Sequence, residues 1–439
     1  MGRTHVSRRS QVNSWIMYDW ANSAYITVVV AAVYPPFFRS IMIEAGFAEG
    51  DATAIWAYTT SLALAIISIA GPLLGAITDH KGGKKKLLAL SAGIGIAATS
   101  LLIFSDSLGY LVVCAIFIVS NIGYSASILF YESLLPHIAP REEIDSISAR
   151  GYTLGYLGGG LLLLLNVLWL TFPAWFGLDG LTSAVKASLI SVAVWWGLFS
   201  IPILRNVPEP AILPVSGRSS FKADLNAGLH RLLCTFREAA RYKQLLYFLP
   251  AFWLYYEAIG TIIKMATAYG DEIGIGRIDM VIALLLTQFI GIPCTMGFSR
   301  LAKRLNAKTG ILIGLSIYAL AITGAYFMHT AVHFYLLAVL IGLAQGGTQA
   351  LSRSLFAVMV PRTRSAEFFG LFSTCEKAAG IFGPLLFGLI GQLTGESRFG
   401  IILLGGFLVV GMLLLVKVDV RKGIEEAGRK DQEAALDLV

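Results

Sequence analysis

The chain has 439 residues, of which 56% are hydrophobic and only 14% are charged, and its mean hydropathy is +0.71. Soluble domains usually carry about a quarter of charged residues, so this composition excludes a large soluble catalytic domain. It indicates an integral membrane protein.

Twelve apolar segments follow one another along the chain, each bounded by charged or turn residues. A helix needs about 20 apolar residues to cross the hydrocarbon core, and each segment approaches or exceeds that length. They cover residues 15–38, 53–78, 87–105, 108–132, 149–172 and 185–204, and then 244–268, 279–299, 309–329, 332–356, 368–394 and 399–416. The sequence therefore predicts an all-α membrane protein with twelve transmembrane helices.

The longest polar interval, residues 205–243, divides the chain into an N-terminal half of six spans (1–204) and a C-terminal half of six spans (244–418), followed by a tail at 419–439. Within the interval, apolar residues recur at helical spacing among basic ones: Phe221, Leu225, Leu229, Leu232 and Phe236. This pattern suits a helix lying in the cytoplasmic membrane interface. A solvated linker helix without function is the alternative.

Lysine and arginine are concentrated on one side of this topology. If the N-terminus is cytoplasmic, 28 of the 34 Lys and Arg residues fall on the cytoplasmic side, four fall on the opposite side and two lie inside spans. Because such a bias sets membrane orientation, we expect an inner (plasma) membrane protein with both termini cytoplasmic. Contact with the lipid bilayer then accounts for the net charge of +7, and nucleic acid is not an expected partner.

The ends of the chain and its four cysteines add little chemistry. The basic N-terminus precedes an interrupted apolar stretch without a small-residue cleavage site, which indicates a retained first span and no signal peptide. The cysteines lack the spacing of a metal or redox site. We therefore expect no metal and no cofactor.

The two halves show an internal repeat. A shift of 225 residues places Pro136 on Pro361, Gly155 on Gly380 and Gly158 on Gly383. A shift of 224 places the 75–84 loop on residues 299–308, where Lys84 matches Lys308. These matches indicate a parallel duplication of six helices, typical of carriers of the major facilitator type, whose substrate site lies between the halves near the bilayer midplane.

The loop between the second and third spans reads Gly75-x-x-x-Asp79-x-x-Gly82-x-Lys84 and resembles the signature loop of the major facilitator superfamily. Its glycines permit a sharp turn and close helix approach, and Asp79 can interact with a helix N-terminus or a cation. The sequence thus predicts a cytoplasmic gate. His80 stands where the superfamily usually has Arg, and Lys303 occupies the position of the acid in the second copy, so we expect an acid-based latch in the first half alone. The alternative is that the lysines of this loop serve only to set the membrane topology.

Three further stretches carry a closer resemblance: residues 18–25 (YDWANSAY), 148–159 (SARGYTLGYLGG), and 349–354 (QALSRS) followed by Pro361 and by EFFG at 367–370. Together they resemble the autophagy-related vacuole effluxers and their bacterial relatives, within the major facilitator superfamily. The resemblance implies a twelve-helix carrier, and amino-acid export from the vacuole is the activity associated with the eukaryotic members.

Polar residues share one helix face in spans one, four, seven and ten, the spans that line the cavity in the resembled fold. Ionisable groups inside a membrane are costly to bury and are functional candidates by default, and Glu376 of span eleven is also deep. The candidate residues for substrate binding or coupling are Asp19, Asn22, Asn121, Tyr124, Glu257, Lys264, Gln345, Gln349 and Glu376. The candidate gating residues are Gly75, Asp79, Gly82, Lys84, Glu132, Arg150 and Arg353. Helix packing and structural pairing are the alternatives for both sets.

These observations favour a secondary active transporter that works by alternating access as a monomer. The expected cargo is a small polar solute, with amino acids first, and protons are a candidate coupling ion. An exporter of amphiphilic drugs or lipids is the first alternative, and a non-transporting receptor or scaffold is the second. An enzyme is not expected, because no catalytic triad or histidine cluster occurs at helical spacing.

Overall fold

The computed structural model describes residues 7–47, 49–140, 142–210, 242–394 and 398–436. In some helices a number of side chains are outside this description, and those of Asp79, Lys264 and Lys377 are among them. Every regular element in the described ranges is helical. The interfacial helix predicted at 221–236 lies outside the described residues.

The chain folds as two compact units. Unit 1 comprises Met1–Ala70, Gly83–Leu134 and Leu154–Pro210. Its described elements are α1 (Arg8–Ala24), a π-helical segment (Tyr25–Ala32), α2 (Tyr34–Glu44), most of α3 (Glu49–Lys81), α4 (Lys84–Leu101), α5 (Tyr110–Ser133), the later part of α7 (Ile144–Thr171) and α8 (Leu181–Asn206).

Unit 2 comprises Gly71–Gly82, Leu135–Thr153 and Ala211–Val439. It therefore contains the end of α3, α6 (Leu135–Ile138) and the start of α7. Its other described helices are α9 (Lys243–Glu272), α10 (Arg277–Leu305), α11 (Ala307–Tyr326), α12 (Ala331–Met359), α13 (Ser365–Thr394), α14 (Arg398–Val416) and α15 (Val420–Leu436). Two short pieces of the predicted N-terminal half thus pack with the helices of the C-terminal half.

Ten of the described helices are long and apolar enough to cross a membrane, and the bent first pair would make eleven. Each of the twelve segments predicted from the sequence coincides with a helix, with ends that differ by a few residues. α13 occupies the eleventh predicted segment but is not among those counted. The helix α15 was not predicted, because its mixed charges gave no apolar run.

The first span is bent by 43° between Ala32 and Tyr34. The bend follows the π-helical segment and precedes Pro35 and Pro36. Proline has no N–H to donate and its ring clashes with the preceding turn, so the helix cannot continue unchanged through this point.

The helix packing of the first half is repeated in the second half. α4 packs on α5 and α8, and α1 packs on α8. In unit 2, α11 packs on α12 and α14, and α9 packs on α14. The equivalent spans of each half therefore meet in the same pairs, as a parallel duplication requires.

Glycines matched by the 225-residue shift occupy equivalent interfaces. A Cβ at Gly158 of α7 would lie 2.7 Å from the backbone oxygen of Trp20 in α1. A Cβ at Gly383 of α13 would collide with Glu257 and Thr261 of α9. At this matched pair of positions the repeat thus has a glycine both where span five crosses span one and where span eleven crosses span seven.

Candidate functional site

The loop between α3 and α4 turns through two glycines with left-handed backbone. Gly82 has φ of +73° and Gly83 has φ of +91°, a region that residues with a Cβ rarely adopt. The Glu209 carboxylate accepts hydrogen bonds from the N–H groups of Gly83 (2.8 Å) and Lys85 (3.1 Å). A carboxylate therefore caps the positive N-terminus of α4. The predicted gating residue Lys84 is buried here, and the side chain of Asp79 lies outside the described part.

Each half has a lysine that binds the end of its last span. The Lys85 ammonium donates to the backbone oxygen of Val207, just after α8, at 2.8 Å. The Lys308 ammonium donates to the backbone oxygens of Val416 and Val418 at the end of α14, both at 2.7 Å. Cations are favourable at helix C-termini. The structural counterpart of Lys308 is thus Lys85, one residue away from the Lys84 that the 224-residue shift matches.

Two seams lie in unit 2 at the face that the sequence assigns to the cytoplasm. The first seam joins the end of α3 and α6 to the start of α13. A Cβ at Gly75 would lie 2.6 Å from the carbonyl carbon of Ala366 and 2.9 Å from the Cα of Glu367. The His137 ring and the Ser365 hydroxyl are hydrogen-bonded at 3.0 Å. Backbone contact of this kind is possible only because residue 75 has no side chain.

The second seam joins the start of α7 to the end of α12 and centres on Arg353. This arginine is 2% exposed and donates from Nε to the Ser148 hydroxyl and from Nη2 to the Ser148 backbone oxygen, both at 2.9 Å. Its guanidinium lies 4.2 Å from the centre of the Tyr152 ring. The Ser148 hydroxyl donates in turn to the Ala350 backbone oxygen at 2.9 Å. One buried cation therefore holds three groups of the neighbouring helix.

A carboxylate completes the second seam. Asp145, in the first turn of α7, accepts a hydrogen bond from the Ser354 hydroxyl of α12. It also interacts electrostatically with Lys303, near the end of α10. Lys303, which stands at the position of Asp79 in the repeat, thus faces an acid. At this position the second copy of the loop carries a positive charge where the first copy carries a negative one, and its partner is a carboxylate.

The remaining predicted gating residues have separate environments. Arg150 is exposed, and Glu132 is buried in unit 1 with 4% of its surface exposed. Next to the first seam, Arg364 binds both carboxylate oxygens of the buried Glu367, each at 2.9 Å. Four residues of these contacts were not predicted from the sequence: Ser148, Tyr152, Asp145 and Glu209. The SARGY motif contained two of them, but the sequence could not reveal which helix they meet.

The substrate candidates of unit 1 are buried. Asp19 and Asn22 are 6% and 3% exposed, and the Asn22 amide donates to the Tyr18 backbone oxygen at 2.6 Å. Tyr124 stacks on Tyr25 with ring centres 4.8 Å apart. Asn121 is 4% exposed and accepts a hydrogen bond from Ser125 at 3.4 Å. The candidate residues of spans one and four are therefore all buried.

In unit 2 the two deep carboxylates differ. Glu257 is 1% exposed, and its carboxylate accepts a hydrogen bond from the Gly383 backbone N–H of α13. Glu376 is half-buried and accepts a hydrogen bond from the Tyr256 hydroxyl at 2.8 Å. Both therefore link α9 to α13. The side chain of Lys264 lies outside the described part, whereas Gln345 and Gln349 of α12 are half-buried.

Comparison with known proteins identifies the family. Residues 7–428 match the family described as "Vacuole effluxer Atg22 like". The chain belongs to this family. It is 37% identical to an MFS-type transporter of Bacillus subtilis (strain 168), YxiO, over 93% of this chain and 94% of that one. It is 28% identical to autophagy-related protein 22 of Kluyveromyces lactis, over 86% and 82% of the two chains.

Solved structures establish the fold of this family member. The human organic anion transporter MFSD10 aligns with a TM-score of 0.69 at 15% identity, over 93% of this chain and 99% of that one. A bacterial homologue of the iron transporter ferroportin, in an outward-facing state, aligns with a TM-score of 0.67 at 14% identity, over 93% and 98%. The Atg22-like chain therefore has the major facilitator fold, as the sequence predicted.

Proposed function

We propose that this Atg22-like protein is a secondary active transporter that carries a small polar solute by alternating access. The second seam, centred on Arg353, is the observation that carries the proposal. It joins the start of span five to the end of span ten, which the repeat assigns to different halves. Contacts of this kind are made in one conformation and broken in another, so they bias the equilibrium between the two states.

We place the protein in the plasma membrane. In this orientation both seams, both termini and the 205–243 linker lie on the cytoplasmic side. The bias of 28 basic residues over four supports it. Cysteines placed near Asp51, Gly177 and Asp271 should then react with a membrane-impermeant reagent added outside intact cells. Reaction of a cysteine at Ser219 from outside would overturn the orientation.

Amino acids are the first candidate cargo. The proposal rests on the family, whose name describes vacuolar efflux, and on side chains of both charges among the candidate residues, which suit a zwitterion. Glu257 and Glu376 lie 14 and 11 residues along helices that begin at the same predicted face, which is roughly 20 Å and 16 Å of helix. This depth is suitable for a cargo or coupling contact.

Transport can be tested in liposomes containing the purified protein. We expect amino-acid exchange that protein-free liposomes lack, and accumulation under a pH gradient if protons are coupled. A thermal-shift screen should identify the cargo first, because a ligand that binds only the native state raises its apparent stability. Flux of amphiphilic compounds alone would favour the drug or lipid exporter, and the absence of solute-dependent flux would favour a scaffold.

The two carboxylates can be separated in the same assay. If Glu257 is the coupling residue, Glu257→Gln abolishes pH-driven accumulation and spares exchange. If Glu257 contacts the cargo instead, the same variant weakens both accumulation and exchange. We expect Lys264→Ala to weaken binding of an anionic group. Glu376→Gln is the matched change on α13. Normal flux and pH dependence in the Glu257 and Lys264 variants would leave those two residues as packing residues.

A further inference from the structure

The last helix, α15, lies against the predicted cytoplasmic face of unit 2. Gly423 is packed on Met359 at the end of α12, because a Cβ there would lie 2.9 Å from the methionine sulfur. Ala427, one turn further on, is fully buried. The opposite side of the helix is exposed and carries both charges, for example Arg429 and Glu433. A polar outer face and a small-residue inner face indicate a helix adapted to this protein surface.

The start of α15 is fixed by neighbouring helices. The Asp419 N–H donates to the side-chain oxygen of Gln244, near the start of α9, at 2.7 Å. The Asp419 carboxylate accepts from the Lys422 N–H at 3.2 Å and caps the helix, and this hydrogen bond lowers the pKa of Asp419. Lys308 of α11 holds the adjoining backbone at Val416 and Val418. The helix therefore leaves α14 along a defined path.

The far end of α15 binds the segment that leads into α13. The Asp431 carboxylate accepts hydrogen bonds from the backbone N–H groups of Arg362 (3.1 Å) and Thr363 (3.2 Å) and from the Thr363 hydroxyl (3.1 Å). These N–H groups belong to the short 3₁₀ turn at Arg362–Arg364, and Ser365 follows directly as the first residue of α13. A carboxylate at such a turn is favoured by the exposed N–H groups.

We infer that Asp431 is a positioning residue for the gate: through the 362–364 turn it holds the start of α13 where Gly75 can pack against it. Only Arg364 stands between Thr363, which Asp431 binds, and Ser365 of the first seam. Because α15 is also held by α9 and α12, a movement of the start of α13 relative to those helices breaks the three hydrogen bonds to Asp431. The tail helix thus favours the closed arrangement of the first seam. The inference rests on the proposed gate and does not depend on the cargo.

A cysteine reporter tests the role of Asp431 without knowledge of the cargo. The native cysteines are replaced by serine and Ala366, which is fully buried at the first seam, is changed to cysteine. In inside-out membrane vesicles, alkylation by a membrane-impermeant maleimide measures how often the seam opens. We expect Asp431→Ala to raise the alkylation rate about tenfold and Asp431→Asn to raise it less, since hydrogen bonds to charged groups are the stronger ones.

Two variants and one further measurement make the test specific. Asp431→Glu should restore most of the slow alkylation, and Glu433→Gln, which changes an exposed carboxylate of the same helix, should leave it unchanged. The thermal unfolding midpoint should stay close to that of the parent protein. Unchanged alkylation in Asp431→Ala would overturn the inference, as would an equal rise in Glu433→Gln. If the parent protein shows no solute flux but its alkylation still depends on Asp431, the transport proposal alone is refuted.

Discussion

The two seams occupy equivalent places in the repeat but use different chemistry. The first seam depends on the missing side chain of Gly75, which allows backbone contact with Ala366, and on the hydrogen bond between His137 and Ser365. The second seam depends on the buried charge of Arg353 and on Asp145. A duplication therefore preserved where helices meet while the contacts diverged. The first seam should be sensitive to volume and the second to charge.

Arg353 should give the largest effect. Arg353→Leu removes two charge-assisted hydrogen bonds and the contact with the Tyr152 ring, which we expect to destabilise the closed seam by about 3 kcal/mol. Because both seams separate when the proposed gate opens, alkylation of the cysteine at position 366 should also become faster. Arg353→Lys should rescue little, because an ammonium cannot reproduce the fork geometry of a guanidinium.

Arg300, which is exposed on α10, provides the control for Arg353. Arg300→Leu removes one positive charge from the same predicted face and should leave alkylation unchanged. If Arg353→Lys behaves like the parent protein, positive charge is sufficient and the hydrogen-bond geometry is not the basis of the second seam.

Gly75 should give the next largest effect. In Gly75→Ala the added methyl group has no room beside Ala366, and overpacking of this kind costs about 1–3 kcal/mol. We expect faster alkylation at the first seam and altered turnover. Gly93→Ala is the matched control, because nothing lies within 4 Å of a Cβ at that helical glycine. Equal behaviour of the two variants would show that the first seam does not require close backbone approach.

The sequence predicted the fold, whereas the candidate site residues stay predictions. Apolar length located the helices, of which ten or eleven in the described part of the chain are long and apolar enough to span, because the bilayer imposes one simple requirement on each helix. The match of Gly158 with Gly383 indicated the duplication, and only the structure shows that both glycines lie at close helix crossings. The Arg353–Ser148 contact could not be predicted, because hydrogen bonding between distant spans leaves no periodic signal. Likewise α15 has no long apolar stretch, and its inner face is defined only by the surface it covers.

The charged loops should give a smaller effect and sharpen the contrast between the copies. Asp79→Asn should impair turnover more than ligand affinity, because the residue lies in the proposed gate loop. Lys303→Ala should be milder, at about 0.5 kcal/mol, since Lys303 is exposed and solvent screens its attraction to Asp145. Lys303→Glu should be worse than Lys303→Ala because it repels Asp145. The measurements are the turnover and the binding of an identified cargo in each variant. Equal loss of binding in Asp79→Asn and Lys303→Ala would show that the loop is not a gate.

The smallest expected effect concerns the feature that the two halves share. Lys85→Met and Lys308→Met each remove an ammonium from the carbonyl groups that end the last span of their half, and such a contact contributes about 0.3–1 kcal/mol. Because the two lysines lie in different units, the losses should add in the double variant. Lys86→Met, at an exposed neighbouring position, should be neutral. Unfolding by denaturant in detergent measures all four variants. An effect of Lys85→Met alone would show that the second copy kept its lysine for another reason, and that the shared packing of the halves does not depend on this contact.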